Sequence, residues 1–194
     1  GLPLLIFFLF WLRLPYALIL SAALIIPGYL LSKKLYPKKV SFTLKPLHIF
    51  ALLLALTWTY LSGAGGFMFQ NGDWVKHNAM LYDLVTRDWP VTYTINDVPA
   101  FLNYYLGLYM VPALIGKLTN MQTALNAQFV WIFCGVVLSY AWLMRIVKKT
   151  SVILLIFFIL FATADSLGLI LVRNFTLFNF MTPLEHWTAT PHEY

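Results

Sequence analysis

The chain has 194 residues, 61% of them hydrophobic and 10% charged, with a mean hydropathy of +0.77. Soluble domains carry about 25% charged residues, so a soluble globular fold is excluded. Apolar runs near the roughly 20 residues that cross about 30 Å of hydrocarbon predict an all-α, polytopic helical membrane protein; a β-barrel would show short alternating segments instead.

The net charge of +6 is unevenly placed. Lys33, Lys34, Lys38, Lys39 and Lys45 fall in one loop and Arg145, Lys148 and Lys149 in another, and neither loop holds an acid. By the positive-inside rule both loops face the cytoplasm and the lipid headgroups. The basic balance therefore reports topology and membrane lipids as partners, with no nucleic acid. The single Cys134 excludes an internal disulfide and reads as a buried structural thiol. No basic n-region or small-residue cleavage site marks a signal peptide. A start at Gly1 and a stop at Tyr194 inside a polar loop suggest a piece of a longer protein.

In chain order, residues 2–12 form an apolar run too short to span untilted. Arg13-Leu14-Pro15 interrupts it, and residues 16–32 resume it as far as Lys33-Lys34. After the loop at 33–46, His48 to about Gly66 is the next span, running outward and ending in the small-residue patch Ser62-Gly63-Ala64-Gly65-Gly66. Such a patch permits close packing, or lets backbone approach a ligand. Residues 67–120 are then the first outer region. Trp74 to Arg87 read as an amphipathic helix, with Trp74, Leu81, Leu84 and Val85 on one side and Asp73, Lys76, His77 and Arg87 on another. Trp74, Trp89 and Tyr93 suit an interfacial position.

Phe101 to Leu118 is apolar and Tyr-rich. If it crossed fully, Arg145, Lys148 and Lys149 would lie outside. It is therefore expected to be juxtamembrane or re-entrant, with 121–147 as the crossing helix. Residues 151–172 cross outward again and 173–194 begin a second outer loop. Except for Asp165, the acids then sort to the outer face.

Asp73 heads the candidates. At the start of a helix it can cap backbone N–H groups, or act as a general base at the membrane surface. His77 lies one turn on and can hydrogen-bond to Asp73, share a divalent metal with it or contact a substrate, or stand as a surface histidine. Two groups do not complete a metal site, so metal ligands stay unassigned and the cofactor open. Lys76, Arg87, Lys117 and Arg173 can neutralise a phosphate, or sit as solvated or snorkelling cations. Asp165 is an intramembrane acid, functional or a packing residue. Glu185, His186, His192 and Glu193 place further carboxylates on the outer face, without metal-ligand spacing. Tyr104, Tyr105 and Tyr109 face lipid or line a groove for a sugar or isoprenoid. Asn174-Phe175-Thr176 matches a glycosylation sequon. No phosphate loop, dinucleotide loop, nucleophile elbow or zinc-protease motif is present.

A span, then Gly72-Asp73, then an amphipathic segment at 74–87, Trp89-Pro90, and the Pro-containing run Tyr104-Tyr105-Leu106-Gly107-Leu108-Tyr109-Met110-Val111-Pro112 make a pattern. It resembles the GT-C superfamily of multispanning membrane glycosyltransferases, such as protein O-mannosyltransferases and aminoarabinose lipid A transferases, over residues 46–194. The resemblance implies a multi-pass protein of the plasma membrane, the bacterial inner membrane, with juxtamembrane helices on its outer face. It implies a polyprenyl-phosphate sugar as donor, Asp73 as catalytic base, and Glu185 or Glu193 as a second active-site carboxylate. The sequence departs from the pattern where Asp73-Trp74 replaces an Asp-Glu pair and only Val111-Pro112-Ala113-Leu114 stands for a His-Pro-Pro-Leu-like signature. Two other readings remain: a transporter or flippase using Asp165, and a non-catalytic assembly protein.

Overall fold

The computed structural model describes residues 1–35, 46–68, 70, 72–147 and 152–162. Among these are seven α-helices and one two-stranded hairpin, so the chain is mostly helical. The hairpin departs from the all-α expectation. The chain divides into two compact units, Gly1–Leu44 with Met80–Trp131 and Lys45–Ala79 with Ile132–Tyr194.

In the first unit, α1 (Leu2–Trp11) begins with Pro3 in its first turn, where the missing N–H costs nothing. It ends at Leu12, whose extended backbone turns the chain into α2 (Leu14–Leu35). Pro15 again occupies a first turn, and Lys33 and Lys34 sit in the last one, where cations complement the helix dipole. α1 packs on α2 and on α5 (Met110–Leu118). The core joins Ile6 of α1, Met80, Leu81 and Leu84 of α4 (Gly72–Thr86), Val91, Leu106, Tyr109, Met110, Ala113 and Ala124. Met80, Leu81 and Leu84 form the buried stripe of an amphipathic helix. Trp89-Pro90 follows the end of α4, as expected before a proline.

The hairpin pairs β1 (Thr92–Ile95) with β2 (Val98–Phe101) antiparallel, Thr92 opposite Phe101 and Ile95 opposite Val98. Its two loop residues, Asn96 and Asp97, both have positive φ, 51° and 61°. A two-residue type I′ turn demands that backbone, and Asn and Asp tolerate it. The Leu102 N–H donates to Val91 O at 2.9 Å and closes the base.

In the second unit, α3 (Pro46–Leu61) buries Ala51, Ala55 and Thr59, one residue per turn. Small side chains on one stripe let a helix approach closely, and α7 (Val152–Ala162) packs on α3 through a cluster of Ala51, Tyr140 and Leu155. The outward span expected to reach Gly66 is shorter: α3 has 16 residues and gives way to Gly63, Gly65 and Gly66, all at positive φ. α7 covers the described part of the crossing expected at 151–172.

Among the described residues two helices are long and apolar enough to cross a membrane: α2 over Leu14–Lys34 and α6 (Met121–Val147). At 27 residues, α6 measures about 40 Å at 1.5 Å per residue. Its start is capped by Asn120, whose Oδ1 accepts the Thr123 N–H at 2.9 Å. α5 has nine residues and is too short to cross.

At Gly116, α5 passes close to its neighbours. A β-carbon there would lie 2.5 Å from Ala124 Cβ and 2.8 Å from Val85 Cγ2. Gly116→Ala is therefore expected to destabilise by about 1–3 kcal/mol, the usual range for overpacking, and Gly116→Val by more. Thermal unfolding in detergent, followed by tryptophan fluorescence, measures both. Gly135→Ala, inside α6 with nothing within 4 Å, is the control that raises helix propensity without overpacking and should not destabilise.

Candidate functional site

α4 carries candidate residues into both units, and each group is self-contained. In the second unit the group begins at the glycine turn. Gly63 O accepts from Gln70 Nε2 at 2.8 Å, and Gln70 Oε1 accepts from Asn78 Nδ2 at 2.8 Å. The Trp74 indole N–H donates to Ser62 O at 3.0 Å. These bonds tie the first turns of α4 to the end of α3 and fix where Asp73 and His77 stand.

Asp73, Lys76 and His77 follow helix spacing. Lys76 Nζ donates to Asp73 Oδ1 at 2.9 Å, and His77 Nε2 lies 3.7 Å from Asp73 Oδ2. Asp73 and Lys76 are half exposed, while the His77 side chain is 20% exposed and meets the Trp74 ring edge to face at 5.5 Å. The hydrogen bond from Lys76 holds the Asp73 carboxyl below its ordinary 3.8, against an opposing effect of burial. Burial holds the His77 imidazole below 6.5; Asp73 pulls it up and Lys76 pushes it further down. At pH 7 the group is thus a carboxylate in an ion pair beside a neutral imidazole. A paired carboxylate is ready to accept a proton but is weakly basic. Among the described residues no third metal-type ligand joins Asp73 and His77.

The first unit holds a different network. Arg87 does not join Asp73. Its Nε donates to Asp83 Oδ1 at 2.9 Å, while Tyr93 Oη donates to Asp83 Oδ2 at 2.5 Å. The guanidinium also covers the Tyr93 ring at 5.2 Å. Lys117 Nζ donates to the carbonyls of Arg87 and Val85, capping the C-terminal end of α4, and lies 5.6 Å over the Trp89 ring. Burial alone would raise the Asp83 carboxyl; hydrogen bonds from Tyr93 and Arg87 outweigh it, and the group ends below its ordinary value. Tyr93 is pushed up to about 12 by burial and by its bond to the carboxylate.

The tyrosines separate. Tyr109 is fully buried in the core, so it lines no open groove. Tyr104 packs against the core, and Tyr105 is exposed, its ring 3.9 Å from that of Tyr104. Cys134, expected to be buried, is exposed. Asp165, Arg173, Glu185, His186, His192 and Glu193 lie outside the described residues, as does the sequon. Sequence reading passed over Asp83 and took Tyr93 only as an interfacial aromatic. It also passed over Gln128, fully buried on α6, with neither amide atom hydrogen-bonded among the described residues. An amide in an apolar helix was the available signal for Gln128.

No family model, curated protein or solved structure matches the chain.

Tyr93→Phe removes one bond to a carboxylate and is expected to cost about 1 kcal/mol, the low end for a charged acceptor at a partly exposed site. Asp83 has a folded pKa below its unfolded one. Its contribution is therefore full above pH 3.8 and is lost as pH falls through the lower folded value. Unfolding midpoints of wild type and Tyr93→Phe should differ by a constant amount from about pH 5 to 8 and converge in stronger acid.

Proposed function

We propose that the chain belongs to a multi-pass membrane glycosyltransferase of the type the GT-C superfamily represents. Asp73 is its general base, and a polyprenyl-phosphate sugar is its donor on the outer face of the plasma membrane. The observation that carries this reading is the Asp73–Lys76–His77 group, a carboxylate, a cation and a neutral imidazole gathered within two turns of α4, beside a glycine turn.

The membrane part is supported by α2 and α6. Leu18, Ile19, Leu30, Leu138 and Trp142 on these helices are more than half exposed. So much bare apolar surface is unfavourable in water and at home in hydrocarbon. Lys33 and Lys34 ending α2 and Arg145 in the last turn of α6, read by the positive-inside rule, support an outer position for α4.

In the transfer step the acceptor oxygen forms its bond to the anomeric carbon as its proton passes to Asp73. The bond from that carbon to the donor's phosphate oxygen breaks, and the phosphate leaves as an anion. Lys76 stabilises the charge gathering on the departing oxygens. The 2.9 Å ion pair couples the two roles. With Lys76 resting on Asp73, the carboxylate is a weak base. A donor phosphate that draws Lys76 away removes the largest influence lowering the Asp73 pKa, so basicity recovers when the donor is in place.

Asp73→Asn in the intact protein should lower kcat for transfer from a polyprenyl-phosphate sugar by about 10²- to 10⁴-fold, the range of a general base, and should lower donor KM as well, because Lys76 no longer has to leave an ion pair. Retained transfer removes Asp73 as the base.

A further inference from the structure

A proton taken by Asp73 has to leave before the next turnover. Asp73 Oδ1 faces Lys76 at 2.9 Å and Oδ2 faces His77 at 3.7 Å. On the transferase reading, donor and acceptor occupy the exposed side of the carboxylate, and the basic side chain next to its other oxygen is the His77 imidazole. That ring is held in place. It packs edge to face against Trp74, and the Trp74 indole is fixed by its bond to Ser62 O. A rotation of the half-exposed Asp73 carboxyl that closes 3.7 Å to hydrogen-bond distance connects the two groups.

Resting on the transferase reading, we infer that His77 takes from Asp73 Oδ2 the proton that Asp73 removes from the acceptor, and releases it to water. The O–H bond on Asp73 breaks and an N–H bond forms on His77 Nε2, in the tautomer whose lone pair is on Nε2. No electrons are gained or lost. Asp73 returns to its carboxylate and the imidazolium returns to imidazole by deprotonation. The direction is downhill, because histidine is the stronger base of the two. Burial keeps the ring neutral and able to accept at pH 7. Among the described residues, Asp73 favours the imidazolium and Lys76 opposes it. His77 is thereby a catalytic residue that shares the proton with the base, rather than a donor-binding contact.

The test uses the intact protein in membranes, with His77→Gln and Asp73→Asn. In wild type, kcat should fall as pH drops through a His77 value below 6.5, because the imidazolium has no lone pair. His77→Gln should lower kcat about 10- to 100-fold, within the lower range of proton-transfer contributions. It should leave donor KM unchanged and remove that acid limb. If His77→Gln keeps both kcat and the limb while Asp73→Asn is inactive, the relay is wrong and the transferase reading stands. A second arm needs no sugar transfer: the pH dependence of His77 modification by diethyl pyrocarbonate, read by mass spectrometry. The midpoint should move down in Asp73→Asn, since a carboxylate that favours the imidazolium has gone. An unmoved midpoint overturns the relay whatever the activity.

Discussion

The burial of Leu81 and Leu84 against Tyr109, Met110 and Ala113 is the constraint on which the first unit depends. Each fully buried leucine contributes about 1.5–3 kcal/mol, and two on one stripe fix the rotation of α4 about its axis. With that rotation set, Asp83 stands at the side of the stripe, where Arg87 and Tyr93 reach it. The packing of α5 follows from the same contacts. Gly116 passes close to Ala124 and Val85, and this brings Lys117, the next residue, to the last carbonyls of α4. The hairpin has little core of its own. It is held by Tyr93 on Asp83 and by the backbone bond between Leu102 and Val91.

The elements legible in the sequence were those with long, regular patterns. The amphipathic α4, the break at Arg13 and the 27-residue α6 all follow from apolar periodicity and from proline and charge placement. The hairpin was missed because its strands have four residues each and Pro99 argues against a strand. The signal was there in Thr92-Tyr93-Thr94-Ile95, rich in β-formers, followed by Asn96-Asp97, two residues that accept positive φ. α3 ended early for a similar local reason. The glycines from Gly63 adopt left-handed backbone, which an α-helix does not continue through.

The Asp73, Lys76 and His77 group was legible for a simple reason: residues three and four apart on a helix meet. Arg87 was assigned to the same face, and sharing a face is not sharing a place. Residues fourteen apart on a helix are separated by about 21 Å along the axis. The nearer carboxylate, Asp83 at i−4, takes Arg87 instead. Tyr93 on Asp83 and Lys117 on the α4 carbonyls are contacts between distant parts of the chain. No spacing rule finds them, since they exist only once the core has set the angle between α4 and α5. The weak basicity of Asp73 is a different case. Its ion pair with Lys76 could be expected from spacing, whereas the burial of His77 comes from Trp74 and its bond to the glycine turn.

The measurement that bears most directly on the placement of α4 is a single-cysteine scan in sealed, oriented vesicles, with Cys134 replaced by alanine. Cysteines replacing Lys76 and Tyr82 should react with an impermeant maleimide added from the outer side. Cysteines replacing Leu81 and Leu84 should resist it from either side until the protein is unfolded. Equal labelling of Leu84→Cys and Tyr82→Cys, or labelling of Lys76→Cys only from the cytoplasmic side, would contradict an outer-surface helix with a buried leucine stripe.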